Sequence, residues 1–356
     1  MLFKWNWGSW RTMIAASGCI LWATALPVLG QTDRGAATAS AAGDPPAITT
    51  ANPFPDLTIP ADADLEVLLK IVNLAKQARP GNADQYRQMQ SAIRDASDRL
   101  VKLIDDAADP VRLQAELDSL ASAAALMVNE TEQARDEVAA KVLALFEKKK
   151  ELTLPDLQSG MMIAFYLEMQ PHKSPARDVY AMLDKRLDGD DREEMQALRL
   201  NLQANIRRLE LLGNKLPLNA KDIDGRTIKT EDYSGKFLLV EFFASWCQPC
   251  VAEIPRLKKH YGKYRDKGLE IVSINLDQDR AALDKYMADH TLTWPIIFDG
   301  SLANDEKLQM RFGISSLPSI LLLNKEGVVV SLEARGAELD RLMERIFEMP
   351  TPADAP

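Results

Sequence analysis

An α/β domain preceded by an all-α segment is the fold class this sequence predicts, on three observations. Over residues 61–213, apolar side chains recur at helical spacing between proline and glycine stops. Over 214–349, short runs rich in Val, Ile, Leu and Phe alternate with amphipathic stretches, as strands alternating with helices do. Where the run at 238–243 ends, Cys247 and Cys250 stand two residues apart at the start of a helical pattern.

Asp64 is placed to cap a helix carrying Leu65, Leu68, Leu69, Val72 and Ala75, which Pro80-Gly81 stops. A second helix spans 83–107, with Tyr86, Met89, Ile93, Leu100 and Leu103 or Ile104 on one side. Asp109-Pro110 reads as a cap followed by a first-turn proline. Leu113, Leu117, Leu120 and Ala124 continue from it, and the pattern extends to Lys150. Pro155, Pro171 and Pro175 then punctuate shorter helices at 156–169, 175–187 and 191–212. No fixed-period repeat of a known solenoid is present, so a helical bundle or hairpin array is expected. The segment shows no nameable chemistry. His172 reads as a solvated loop residue, Lys148-Lys149-Lys150 as a solvated helix end, and Met161, Met162, Phe165 and Tyr166 as core.

In the second half, Asp224-Gly225 signals a hairpin between short strands. Gly235-Lys236 precedes the apolar run at 238–243, which reads as a strand buried on both faces. A second buried strand is expected at 269–276, a helix at 279–290, a short strand at 294–298 and a helix at 305–312. Strands at 319–323 and 328–332 flank Asn324-Lys325-Glu326-Gly327 as a hairpin, and a helix at 337–348 closes the domain. Residues 350–356 trail off.

Two cysteines at a strand-to-helix joint have a chemical reason to be there. Their spacing lets the sulfurs close a small disulfide ring. The unpaired N–H groups and partial positive charge of a helix N-terminus stabilise a thiolate, the attacking species in disulfide exchange. Cys247, first and nearest solvent, is the expected nucleophile, and Cys250 the resolving thiol. Pro249 suits the first turn because its missing N–H is not needed there. Two blander readings stand beside this one. A structural bridge closing so short a ring removes little chain entropy. A zinc site needs more ligands than Cys19, His172, His260 and His290 offer, and neither metal nor cofactor is expected.

Trp246-Cys247-Gln248-Pro249-Cys250 after Val240-Glu241-Phe242-Phe243-Ala244-Ser245 resembles the thioredoxin superfamily. Glu253-Ile254-Pro255 is similar to its extracytoplasmic TlpA/ResA-like branch of thiol–disulfide oxidoreductases, over about residues 216–347. The order of elements is then that of a thioredoxin-like fold, with 279–298 matching the branch's central insertion. The resemblance implies that Pro318 is a cis-proline against the cysteine pair, leaving the Leu317 backbone free for strand-like pairing with a substrate chain. It implies that Glu241, an acid inside an apolar strand, takes the proton of the resolving thiol. Glu253 matches an acid of the ResA-like proteins, and Trp246 walls the site. Alternatives remain: an ordinary turn proline at Pro318, a solvated Glu253 and an edge-exposed Glu241. Pro255 is expected to kink its helix. Tyr233, His260 and Trp294 carry no role in this reading.

The resemblance further implies a protein disulfide as substrate and a membrane electron donor of the DsbD/CcdA kind. A reductant, serving cytochrome c maturation or another cysteine protein, is expected. Two other functions compete: a scaffold in which the helical segment recruits partners, and a thiol peroxidase. Ala244 stands where the latter carries a threonine. Lys4 and Arg11 precede an apolar stretch ending at Val28-Leu29-Gly30, so residues 1–30 read as an export signal, with an uncleaved membrane anchor or a lipoprotein site at Cys19 as alternatives. Each puts the domain in the periplasm or an equivalent extracytoplasmic space, where disulfides persist. Residues 31–60 read as a mobile Ala/Thr/Pro/Gly linker. A net charge of −9 with no basic stripe argues against nucleic acid.

Overall fold

The computed structural model describes residues 54–127, 131–149, 151–170, 172–303 and 306–349. The expected export signal, residues 31–53 of the linker, and the tail lie outside them. Among the described residues no helix is long and apolar enough to cross a membrane. The chain forms two compact units, one ending at Met127 and the other beginning at Val128. The division therefore falls inside the helical segment rather than at residue 213, where composition changes.

The first unit holds helices α1 (Leu65–Gln77), α2 (Ala83–Leu103) and α3 (Pro110–Leu126). Asp64, Asn82 and Asp109 cap them, each side chain accepting an N–H from the first turn. α2 packs against both neighbours, around Leu68, Ile71, Val72, Ala96, Leu100 and Ala115. α3 stops at Leu126 instead of running on to Lys150. Thr131 starts a new helix, its hydroxyl accepting the Ala134 N–H. Periodicity alone could not reveal that break, because the apolar spacing continues across it.

The second unit opens with α4 (Glu132–Lys148), α5 (Leu154–Glu168), α6 (Ser174–Arg186) and α7 (Glu193–Glu210). α6 packs against α4, α5 and α7. Phe146, Leu157, Ile163, Leu167, Leu183 and Met195 are buried there. Gly160 lets α5 approach closely, since a Cβ on it would lie 2.9 Å from Phe146 Cζ. Met162, expected in this core, is exposed, and Met161, Phe165 and Tyr166 are half-buried. Ile163, Ala164 and Leu167 form the inward stripe of that helix instead.

α7 leads directly into the α/β domain. Strands β1 (Asn219–Lys221) and β2 (Thr227–Lys229) form a small antiparallel hairpin. A five-stranded mixed sheet follows, in the order β5 (Ile296–Phe298), β4 (Leu269–Asn275), β3 (Phe237–Phe243), β6 (Ser319–Leu323), β7 (Val329–Ser331). β3 is central, parallel to β4 and antiparallel to β6, and is buried from Leu238 onward, as its unbroken apolar run requires. Helices α8 (Gln248–Tyr264), α9 (Arg280–Asp289), α10 (Leu308–Arg311) and α11 (Gly336–Phe347) complete the domain. α8 continues through Pro255. α10 is shorter than the expected 305–312, and Asp305 is outside the described residues.

The alternation of β3 aims Leu239, Glu241 and Phe243 at one face. Leu239 meets Leu257 and Tyr261 of α8, and Phe243 meets Cys247, Cys250 and Ile254 of α8 and Tyr286 of α9. Glu241 lies between these two clusters, beneath the cysteine-bearing helix.

Candidate active site

The site begins where β3 ends. Ala244 and Ser245 turn the chain out of the sheet, and Asp277, just beyond β4, holds that turn. Its carboxylate accepts from the Ser245 N–H at 3.0 and 3.2 Å and from the Ser245 hydroxyl at 3.1 Å. Asn275 Nδ2 donates to the same carboxylate at 2.9 Å, so a fully buried acid is hydrogen-bonded on both oxygens.

Cys247 is the N-cap of α8, and its Sγ lies 3.2 Å from the Cys250 backbone N–H, which points at it. A sulfur in that position receives an orphan helix donor and the positive end of the macrodipole. The two sulfurs are joined as a disulfide, with Cα atoms 5.2 Å apart. Cys250 is fully buried and Cys247 is 5% exposed, so the first cysteine is the more accessible. Trp246 is 68% exposed beside it. Its indole stands out into solvent rather than closing over the pair as a wall.

The Leu317–Pro318 peptide bond is cis. Leu317 packs against the cluster that contains both cysteines, and Pro318 is buried at the start of β6. The Pro318 carbonyl accepts from Arg335 Nη1 at 3.1 Å, tying this loop to the chain entering α11.

Glu241 is 3% exposed and paired in register with Ser273 on β4, not at an exposed edge. Ser273 Oγ donates to its Oε2 at 2.5 Å. Burial pushes the carboxyl up to about 7, the nearby negative charge of Glu253 pushes the same way, and the Ser273 hydrogen bond opposes them. Glu253 itself is half-buried rather than solvated. Its Oε2 accepts the Gly336 N–H at the first turn of α11 at 3.2 Å and lies 3.5 Å from Arg256 Nε. That pairing joins α8 to α11.

Three contributors escaped sequence reasoning: Asp277, Ser273 and Trp294, whose indole N–H donates to Ser273 Oγ at 2.8 Å. A polar pair, Asn275 and Asp277, at the carboxyl end of an apolar strand was a usable signal, because sites in α/β sheets gather there. Ser273 and Trp294 had none, since only strand register brings Ser273 to Glu241 and only the folded packing brings Trp294 to Ser273.

The AhpC/TSA family matches residues 212–332. The thiol-disulfide oxidoreductase ResA of Bacillus thuringiensis subsp. konkukian is 28% identical over 131 residues, 37% of this chain and 73% of that protein. The ResA of Bacillus subtilis is 30% identical over 112 residues, 32% of this chain and 60% of its own length. Among solved structures, the thioredoxin domain of a thiol-disulfide oxidoreductase from Bacteroides vulgatus is 28% identical, with a TM-score of 0.35, covering 38% of this chain and 96% of that one.

Proposed function

We propose, from the premise that the C-terminal domain belongs to the thioredoxin superfamily in its TlpA/ResA-like branch and that the chain is a thiol–disulfide oxidoreductase, that it reduces protein disulfides through Cys247 and Cys250. The observation that carries this reading is the Cys247–Cys250 disulfide at the N-terminus of α8, in a buried cluster against which Leu317 packs.

In the reduced protein, the Cys247 thiolate attacks a substrate disulfide. A bond forms between Cys247 Sγ and one substrate sulfur, and the other leaves as a thiolate. Glu241 then takes the proton of Cys250, whose sulfur attacks Cys247 Sγ. The mixed disulfide breaks and the second substrate sulfur departs. The substrate gains two electrons and the protein loses two, ending as the disulfide seen here. A carboxyl poised near neutrality suits that proton transfer. Leu317 and the cis-Pro318 loop line the place where an extended substrate chain would lie, and Trp246 offers it an exposed aromatic face. Glu253 acts on the site through its charge, by raising Glu241.

Each turnover leaves the pair oxidised, so a donor must recharge it. A membrane donor of the DsbD/CcdA kind and an extracytoplasmic, periplasmic location fit the family premise and the apolar, basic-led N-terminal sequence. Cytochrome c maturation is the process we favour for the substrate.

Cys250→Ala is expected to accumulate mixed disulfides through Cys247 in cell extracts. Their absence would favour the scaffold reading instead. The direction is tested by the reduction potential of the Cys247–Cys250 couple in dithiothreitol buffers, followed by tryptophan fluorescence. A value near about −270 mV supports a reductant, and one near about −120 mV makes the protein an oxidant.

A further inference from the structure

Among the described residues, the hydrogen bond reaching the Glu241 carboxyl comes from Ser273, across matched rungs of β3 and β4. Ser273 Oγ in turn accepts the Trp294 indole N–H. All three side chains are buried, Ser273 completely. An indole nitrogen only donates. It therefore occupies a lone pair of the Ser273 oxygen, and the single hydroxyl proton is directed at Glu241. A proton on Glu241 Oε2 would compete for the same line. A proton on Oε1 avoids that conflict but leaves Oε2 the oxygen of a neutral acid, a weaker acceptor for the Ser273 hydroxyl than a carboxylate is.

We propose that Ser273, oriented by Trp294, is a positioning residue that keeps the Glu241 carboxylate ready to accept the proton of Cys250 when the mixed disulfide is resolved. The role in turnover rests on the reading of Glu241 given above. Only one proton moves, from Cys250 Sγ to Glu241, while the Ser273 and Trp294 protons stay where they are. The pair works against its surroundings. Burial and the Glu253 carboxylate on α8 favour the protonated acid, and Tyr286 on α9 interacts with Glu241 through space. The cysteines of α8 form an uncharged disulfide in the oxidised protein, and β6 presents Ile320 beside Glu241. The Ser273 hydroxyl is the group that favours the carboxylate. Trp294 is held in turn by edge-on packing on Tyr261, with centroids 5.4 Å apart.

The test is the Glu241 titration itself, read by infrared difference spectroscopy of the oxidised full-length protein labelled with ¹³C-carboxyl glutamate. Glu241→Gln identifies the band. The wild-type midpoint is expected at about 7. Ser273→Ala should raise it by about one pH unit, the size of one lost hydrogen bond to a charge. Trp294→Phe, which frees the hydroxyl to accept instead of donate, should raise it by less. Ser273→Thr keeps the hydroxyl and should restore the wild-type midpoint. The pH profile of insulin reduction should move with the midpoint in each variant. A Ser273→Ala midpoint equal to the wild type, or a Ser273→Thr midpoint raised as far as that of Ser273→Ala, would overturn the proposal. If the midpoints move as expected but Glu241→Gln reduces insulin at the wild-type rate at every pH, the polarised bond stands. What falls then is Glu241 as proton acceptor.

Discussion

Burial of Glu241 makes the stability of the fold depend on pH. A carboxyl whose folded pKa is raised from 4.5 to about 7 binds its proton more tightly in the native chain than in the unfolded one. Between these values the native state holds more protons, so stability falls as pH rises, and the loss is complete above 7. The span corresponds to about 3 kcal/mol. Glu241→Gln removes the titration and keeps an acceptor for Ser273. Its stability relative to the wild type should be level below pH 4.5, rise through the window and flatten near pH 8, as urea unfolding at a series of pH values would record. A flat difference across that range would mean that Glu241 does not titrate there. An acid in an apolar strand was visible in the sequence. Its partners were not. Ser273 is 32 positions away and meets Glu241 only because β3 and β4 pair in one register rather than the next, and Trp294, a further 21 positions on, reaches Ser273.

At the scale of elements, α8 and α7 show what local reading captures and what it misses. The start of α8 was legible because capping chemistry is local: a cysteine, a first-turn proline and an amphipathic run lie within a few residues of one another. The seating of α7 was not. Arg207 Nε donates to the Met310 carbonyl at 3.2 Å, and Arg208 pairs with Glu168 and lies 3.8 Å from Glu333. Gly313 makes the close approach possible. Its φ is +67°, and a Cβ there would fall 2.0 Å from the Ala204 carbonyl oxygen. Gly313→Ala therefore meets backbone rather than a movable side chain, in a conformation that disfavours any Cβ. It should cost about 2–4 kcal/mol in chemical denaturation, near the upper end of what single substitutions do. A loss under about 0.5 kcal/mol would show that α7 does not rest on this turn. The same contacts extend to the cis-proline loop, since Glu333 also binds Arg335, which holds the Pro318 carbonyl.

Across the whole molecule, the compact units divide the helical segment where composition does not. α4 to α7 belong with the α/β domain. Beyond α7 the chain adds backbone hydrogen bonds to β7, with the Gly213 N–H donating to the Val329 carbonyl and the Val329 N–H to the Asn214 carbonyl, each at 2.9 Å. A fragment beginning at residue 131 should therefore melt well above one beginning at residue 214, by about 5 °C or more if the α7 contacts contribute even 1–2 kcal/mol. Equal melting temperatures would detach the helices from the stability of the redox domain. The strand-and-helix order of the α/β domain, the disulfide pair at a helix start and the acid in the central strand all followed from the sequence by itself. Strand runs, caps and a two-residue cysteine spacing are short-range patterns, set by the 2.0 and 3.6 periods of the backbone. Tertiary structure alone decided that Asp277 grips the turn before Cys247, that Ser273 reaches Glu241 and Trp294 reaches Ser273, that Glu253 accepts from the first turn of α11 and that α7 seats on Gly313. Each joins groups dozens of residues apart, and no local preference encodes which distant hydrogen-bond partner, or which close backbone approach, the folded packing will supply.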